Sequence, residues 1–206
     1  MRVLFCLLAM SAFMRAQGQR TVKKSIVDHN ISLIQIDTEN CFKVDIETST
    51  GKELIVEASF DGEYNKDLLL TIKEEGNTLK IQAGFQPNFV DPNDKLSAHK
   101  VVSIALKIKL PSEQVVQVFG TNSNIDISGS YKNLTVTLAD GHCFLNQVSR
   151  YADIKTQSGD IRASSVTAMI KAQSKYGMVK SDKIPFGDAE LILTTTTGNI
   201  YITKTE

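Results

Sequence analysis

Five stretches decide the fold: Ser123-Asn-Ile-Asp-Ile127, Gly141-His-Cys-Phe-Leu145, Gly159-Asp-Ile-Arg-Ala163, Gly177-Met-Val-Lys-Ser181 and Gly198-Asn-Ile-Tyr-Ile202. The first four start 18 residues apart, and the fifth follows after 21, which leaves room for a three-residue insertion around Ile184-Pro-Phe-Gly-Asp188. A fixed period near this length marks a stacked repeat. Equivalent positions then have to agree chemically, and they do. One column reads Val116, Leu134, Ala152, Ile170, Leu191, and the next Val118, Val136, Ile154, Ala172, Leu193. After each corner come Ile125, Cys143, Ile161, Val179, Ile200 and then Ile127, Leu145, Ala163, Ser181, Ile202. Only Ser181 is polar in these four columns. Val148, Val166 and Ile184 mark a third face.

The alternation puts one set of side chains inside and the next in water. Parallel stacking sets like above like, about 4.8 Å apart, and buries an interior that no single coil could close. The expectation is an all-β protein with a right-handed parallel β-solenoid of about five 18-residue coils over residues 111–206. The corner glycines read as positions of positive φ, and Thr194 to Thr197 as an outward polar run.

Working outward, residues 19–110 follow a different pattern. Ile34-Gln-Ile36, Val44-Asp-Ile46, Leu79-Lys-Ile81 and Ile104-Ala-Leu106-Lys-Ile108-Lys-Leu110 alternate between turn signals at Thr50-Gly51, Asp61-Gly62 and Gly76-Asn77. Short period-two strands at this spacing predict a mainly antiparallel sheet region, continuous with the coils. Phe85 to Lys100, with Pro87 and Pro92, is expected to be a long loop.

Residues 1–18 read as an export signal: Arg2, an apolar run from Val3 to Met14, then small Ala16 and Gly18. The mature chain would begin near Gln17 or Gln19 and be periplasmic, on the outer cell surface or extracellular. No later run is long enough for a transmembrane segment. The full chain carries 23 basic and 23 acidic residues. No basic stripe appears, so nucleic acid is not an expected partner. Cys41 and Cys143 lie in strand-like segments of different halves, which favours two buried thiols over a bridge.

Leu110-Pro111, Val116-Gln-Val118, Asn124-Ile-Asp-Ile127, Ser158-Gly-Asp-Ile161 and Thr197-Gly-Asn-Ile200 resemble a bacterial family of exported, adhesin-like proteins of unknown function with repeated Gly-Asp-Ile strand units. The resemblance implies a β-solenoid after a β-sheet region. Ser123-Asn124, Gly141-His142 and Gly177-Met178 depart from the Gly-Asp pair.

The chemistry that the sequence withholds is as informative. Catalysis on a glycan, as in the β-helical polysaccharide lyases and hydrolases, needs converging carboxylates. The candidates Asp126, Asp140, Asp153, Asp160 and Arg162 are spread over several coils. No G-x-S-x-G elbow, phosphate loop or zinc spacing occurs, so no catalytic, cofactor-binding or metal-ligand residues are assigned and no cofactor is expected. The expected role is non-catalytic binding or structure in the cell envelope, with a glycan or a protein as partner. Candidate contacts are Phe144, Arg162, Lys180 and Tyr201 on one outward column, and Phe85 and Phe89 in the loop. A second outward column holds Phe119, Thr137, Lys155, Gln173 and Thr194. Envelope regulation through an uncapped edge at the last coil, Leu191–Thr203, is the remaining alternative.

Overall fold

In the computed structural model, which describes residues 19–27, 31–62, 64–90 and 102–205, the chain is all strand and turn, with no helix among those residues. The strands form one mixed sheet folded into two ladders. The first ladder runs β1 (Arg20–Ile26), β4 (Leu54–Gly62), β7 (Val102–Pro111), β3 (Lys43–Ser49), the start of β9 (Asn124–Leu138), the start of β10 (Cys143–Thr156), β11 (Ile161–Ser165), β15 (Ile200–Lys204) and β13 (Val179–Ser181). The second runs β5 (Leu68–Glu75), β6 (Thr78–Phe85), β2 (Leu33–Asp37), β8 (Gln114–Gly120), the ends of β9 and β10, β14 (Glu190–Thr195) and β12 (Met169–Ser174). β9 and β10 pass from one ladder to the other through bulges, near Gly129 (φ 108°) and Gln147 (φ 51°).

The four apolar columns stand in the structure with every member in parallel register. Ile125, Cys143, Ile161 and Ile200 are fully buried, as are Val136, Ile154 and Leu193. Burying each such side chain stabilises by roughly 1.5–3 kcal/mol, which only the stacked arrangement can collect. Of the third face, Val148 is buried, Ile184 packs against the core and Val166 is exposed.

Three expectations are corrected. The N-terminal region is mixed: beside the antiparallel pairs β1–β4, β4–β7 and β5–β6, β2 pairs in parallel with β6 and β8, and β3 with β7 and β9. The stacked repeat therefore starts at residue 33, and only β1, β4 and β5 join antiparallel. The order of the last layers is also inverted. β15 lies between β11 and β13, and β14 between β10 and β12. The final 190–204 layer is thus inserted beneath the 169–181 layer, and residues 182–189 supply the extra length for the step back. Among the described residues the open edge belongs to β12 and β13, not to Leu191–Thr203. Finally, Thr195 points inward and is buried.

The corner glycines are also explained differently. Gly141, Gly159, Gly177 and Gly198 are not among the positive-φ residues. They stack instead. A Cβ on Gly141 would overlap the Ser123 carbonyl oxygen; on Gly159, that of Gly141; on Gly198, that of Gly159; on Gly177, that of Gly198. Close backbone approach between layers is what excludes a side chain. Ser123 ends the row, and its buried hydroxyl lies 2.6 Å from both the Thr38 and Cys41 carbonyls. Inside the corners, Thr156 Oγ1 donates to the Gly159 carbonyl (2.6 Å), while Ser174 Oγ accepts from Gly177 N–H and Thr195 Oγ1 from Gly198 N–H. The inward hydroxyls are local turn locks.

Cys41 and Cys143 are buried free thiols. Burial pushes both up to about 12, as expected for inert structural cysteines.

Candidate contact surface

Parallel register makes each outward column a straight line of side chains. On the first ladder one such line reads Lys23, Glu57, Lys107, Asp45, Asp126, Phe144, Arg162, Tyr201, Lys180. The inverted layer order places Tyr201 directly beside Arg162. The Arg162 guanidinium therefore sits between two rings, 5.5 Å from the Phe144 centroid and 5.4 Å from that of Tyr201. The cation is flanked by two aromatic quadrupoles. No ion pair to Arg162 or Lys180 is found among the described residues, whereas Lys109 pairs with Glu47, Lys155 with Asp153, Lys171 with Glu190 and Arg150 with Glu113.

The same line changes character toward the N-terminal layers. Asp45 and Asp126 are neighbours across β3 and β9, and Lys43 Nζ reaches them at 3.2 and 3.8 Å. The Asp126 carboxyl is held above its ordinary value, first by desolvation and then by Asp45, with Lys43 opposing. One column thus runs from an acidic pair to an aromatic–cation segment.

The corner beside it binds the layers together. His142 Nδ1 accepts the Asp160 N–H at 3.0 Å, Asp160 Oδ1 accepts the Asn199 N–H at 2.8 Å, and Asn199 Oδ1 accepts the Met178 N–H at 3.0 Å. His142, Asp160 and Asn199, which follow three of the four corner glycines, are thus spent on the backbone of the next layer. Ser158 Oγ donates to the Asp140 carboxylate, a side-chain link between neighbouring corners. This ladder accounts for the Gly-Asp and Gly-Asn pairs, and it commits the Asp160 carboxylate to structure.

The acidic candidates for catalysis are not brought together. Asp126 is separated from Arg162 by Phe144, and Asp153 lies on the second ladder, bridged to Lys155 at 2.7 Å. Among the described residues no three His, Cys, Asp or Glu side chains gather where they could hold a metal, and no helix is long and apolar enough to cross a membrane. Phe85 and Phe89 are remote from the column, at the end of β6. Their rings stack at 4.2 Å, with Tyr64 edge-on to Phe89 at 5.3 Å. They pack locally, although Phe85 remains 42% exposed. The rest of the loop, and residues 1–18, lie outside the described residues. On the second outward column Lys155 stands next to Thr194 and Gln173 lies beyond, again in the inverted order.

Sequence reasoning missed Asp45 and Lys43 as members of this surface, because no 18-residue spacing connects them to the later repeats. It also missed that Arg162 lies beside Tyr201 rather than beside Lys180. The extra residues at 182–189 were the available signal.

A mixed sheet folded into two stacked ladders around one apolar interior defines a solenoid-like all-β protein with outward columns of side chains. The chain belongs to the Toastrack DUF4097 family, whose model matches residues 31–206. No curated protein matches it. Among solved structures, a "putative cell adhesion protein" from Clostridium sporogenes is similar with a TM-score of 0.67 at 13% identity, over 91% of this chain and 100% of that one. A "putative adhesin" from Bacteroides fragilis aligns over 90% of this chain and 97% of its own, with 13% identity and a TM-score of 0.36. The first of these supports the fold.

Proposed function

We propose that this chain is an exported, non-catalytic envelope protein that binds a glycan through the Phe144–Arg162–Tyr201–Lys180 column. The observation that carries the proposal is the guanidinium held between two rings with no carboxylate partner among the described residues. Aromatic faces pack on sugar rings, and a guanidinium donates to their hydroxyl or carboxylate oxygens. The column repeats at about 4.8 Å, a spacing suited to an extended chain lying along the stack. The name carried by the Clostridium neighbour, a cell adhesion protein, agrees with a binding role at the surface. The coils wind right-handed in this proposal, the hand that twisted parallel strands favour. Export rests on the order of Arg2, the Val3–Met14 run and the small residues after it; N-terminal sequencing of the exported protein should begin near Gln17 or Gln19.

The test is a panel of acidic and neutral polysaccharides, with and without calcium, read for binding and for cleavage. Wild-type protein should bind at least one, and Arg162→Ala should weaken that binding at least tenfold, about 1.4 kcal/mol, at unchanged melting temperature. Turnover lost on Asp160→Asn with the fold intact would favour a lyase or hydrolase instead.

A further inference from the structure

The two edge strands at the end of the stack carry an assignment independent of that column. Among the described residues, β12 pairs only with β14, and β13 only with β15. Met169 N–H donates to Ala189 O (2.7 Å) and Lys175 N–H to Thr195 O (3.1 Å). By strand alternation, Ile170, Ala172 and Ser174 turn their backbone N–H and C=O away from the sheet. Ile200 N–H to Met178 O and Asp182 N–H to Ile202 O leave Val179 and Ser181 facing the same way. Around these free backbone groups the outermost layer exposes apolar surface: Tyr176 is 71%, Met178 56% and Val179 43% exposed.

The charge of this layer is one-sided. Between Met169 and Lys183 stand Lys171, Lys175, Lys180 and Lys183 against Asp182 alone, although Lys171 also reaches Glu190 of the neighbouring layer at 3.0 Å through an exposed pair. The Asp182 carboxylate already accepts the Lys204 N–H at 3.0 Å. A second copy meeting this end would bring two sets of four lysines together, and directly opposed like charges destabilise strand pairing. A lipid surface would bury the free N–H and C=O groups of β12 and β13 without partners, at several kcal/mol each. A strand satisfies both needs.

We propose that the β12 edge is a docking site for an extended acidic segment of a partner protein, which adds a strand there. Its alternate apolar residues would continue the Ile170 and Ala172 columns, and its carboxylates would face Lys171 and Lys175.

The probe is a short peptide of alternating valine and glutamate, with a valine–lysine peptide as counterpart, read by backbone amide exchange in the full chain. The glutamate peptide should slow exchange at Ile170, Ala172 and Ser174 at least tenfold, and the lysine peptide should not. Lys171→Glu with Lys175→Glu, both exposed, should reverse the preference at unchanged melting temperature. Failure of the glutamate peptide to protect these amides overturns the proposal, as does equal protection by both peptides. Concentration-dependent dimerisation that protects the same amides would assign the edge to a second copy. Protection by anionic phosphatidylserine vesicles alone would assign it to a membrane. Either outcome overturns the acidic strand.

Discussion

The two ends of the stack solve one problem in opposite ways. At the N-terminal end the repeat is abandoned: β4 and β1 continue the first ladder antiparallel, and β5 the second. The last two edges are then tied by basic side chains. Arg20 Nη1 donates to the carbonyls of Asn65 (2.9 Å) and Leu68 (3.1 Å), and Lys24 Nζ to that of Leu70 (2.9 Å). Phe60, Leu68 and Leu70 beneath are fully buried, with the Arg20 guanidinium over the Phe60 ring. At the C-terminal end the repeat simply stops, and Ile170 and Ala172 are only half-buried. Among the described residues, lysines rather than a lid discourage edge-to-edge pairing there. A stack of like layers thus needs a cap only where it must stay closed, and an edge protected by charge alone stays available.

The largest expected effect contrasts the middle with the open end. Ile154→Asp or Ile161→Asp buries an unpaired charge among fully buried neighbours, at a cost of several kcal/mol, on the order of the whole stability. Neither variant should give a cooperative thermal transition. Val179→Asp, in the same inward column as Ile161 but on the outermost layer, should keep its transition within a few degrees of wild type. So should Lys155→Asp and Arg162→Asp, which face water. Equal loss in Val179→Asp would show that the open end is as well packed as the middle.

Next in size is the glycine row. Gly159→Ala drives a Cβ into the Gly141 carbonyl with layers fixed on both sides, at a cost of about 3 kcal/mol. Gly177→Ala meets the Gly198 carbonyl, but its layer can lift into solvent, so about 1 kcal/mol is expected. Denaturant midpoints at unchanged slope would measure both.

How much of this was legible varies along the chain. The columns from Val116 to Ile202 could be read because each inward position is apolar in every layer, whatever the order of the layers. That order could not be read. Ile170 and Leu191 are interchangeable in an apolar column, so periodicity is silent about which lies outside. The 33–49 layer was hidden for a related reason: β4, β5 and their turns separate it in sequence from the layers it touches. The Arg162 column was legible as a set, but its stacking was not, since it depends on the inverted order. The corner aspartates were legible as turn residues. Their bond to the next layer was not, because it involves backbone from a distant segment.

The smallest expected effect is the sharpest test of the cap. Cys41 lies in the 33–49 layer near the sealed end, and Cys143 in the middle of the first ladder. With both thiols pushed up to about 12 by burial, almost no native thiolate exists at pH 8. Alkylation there must wait for opening, followed by ionisation at the ordinary value near 9. In wild type both cysteines should react slowly, at rates of the same order. Lys24→Ala removes a hydrogen bond from a charged donor to Leu70 O, a loss of about 1.5 kcal/mol, or roughly tenfold in local opening. It should accelerate labelling of Cys41 by up to that factor and leave Cys143 unchanged. The linkage has a definite sign. Because the folded values are raised, the contribution of the thiols is fully present below about 9, where they are protonated in both states, and is lost as pH climbs from there toward 12 and only the unfolded chain gains by ionising. Wild type should therefore lose stability over that window, and Cys41→Ser should lose less. Should Cys41 react as fast as an unfolded thiol in the wild-type chain, the side chains of Arg20 and Lys24 do not seal that end, and the contrast between the two ends fails.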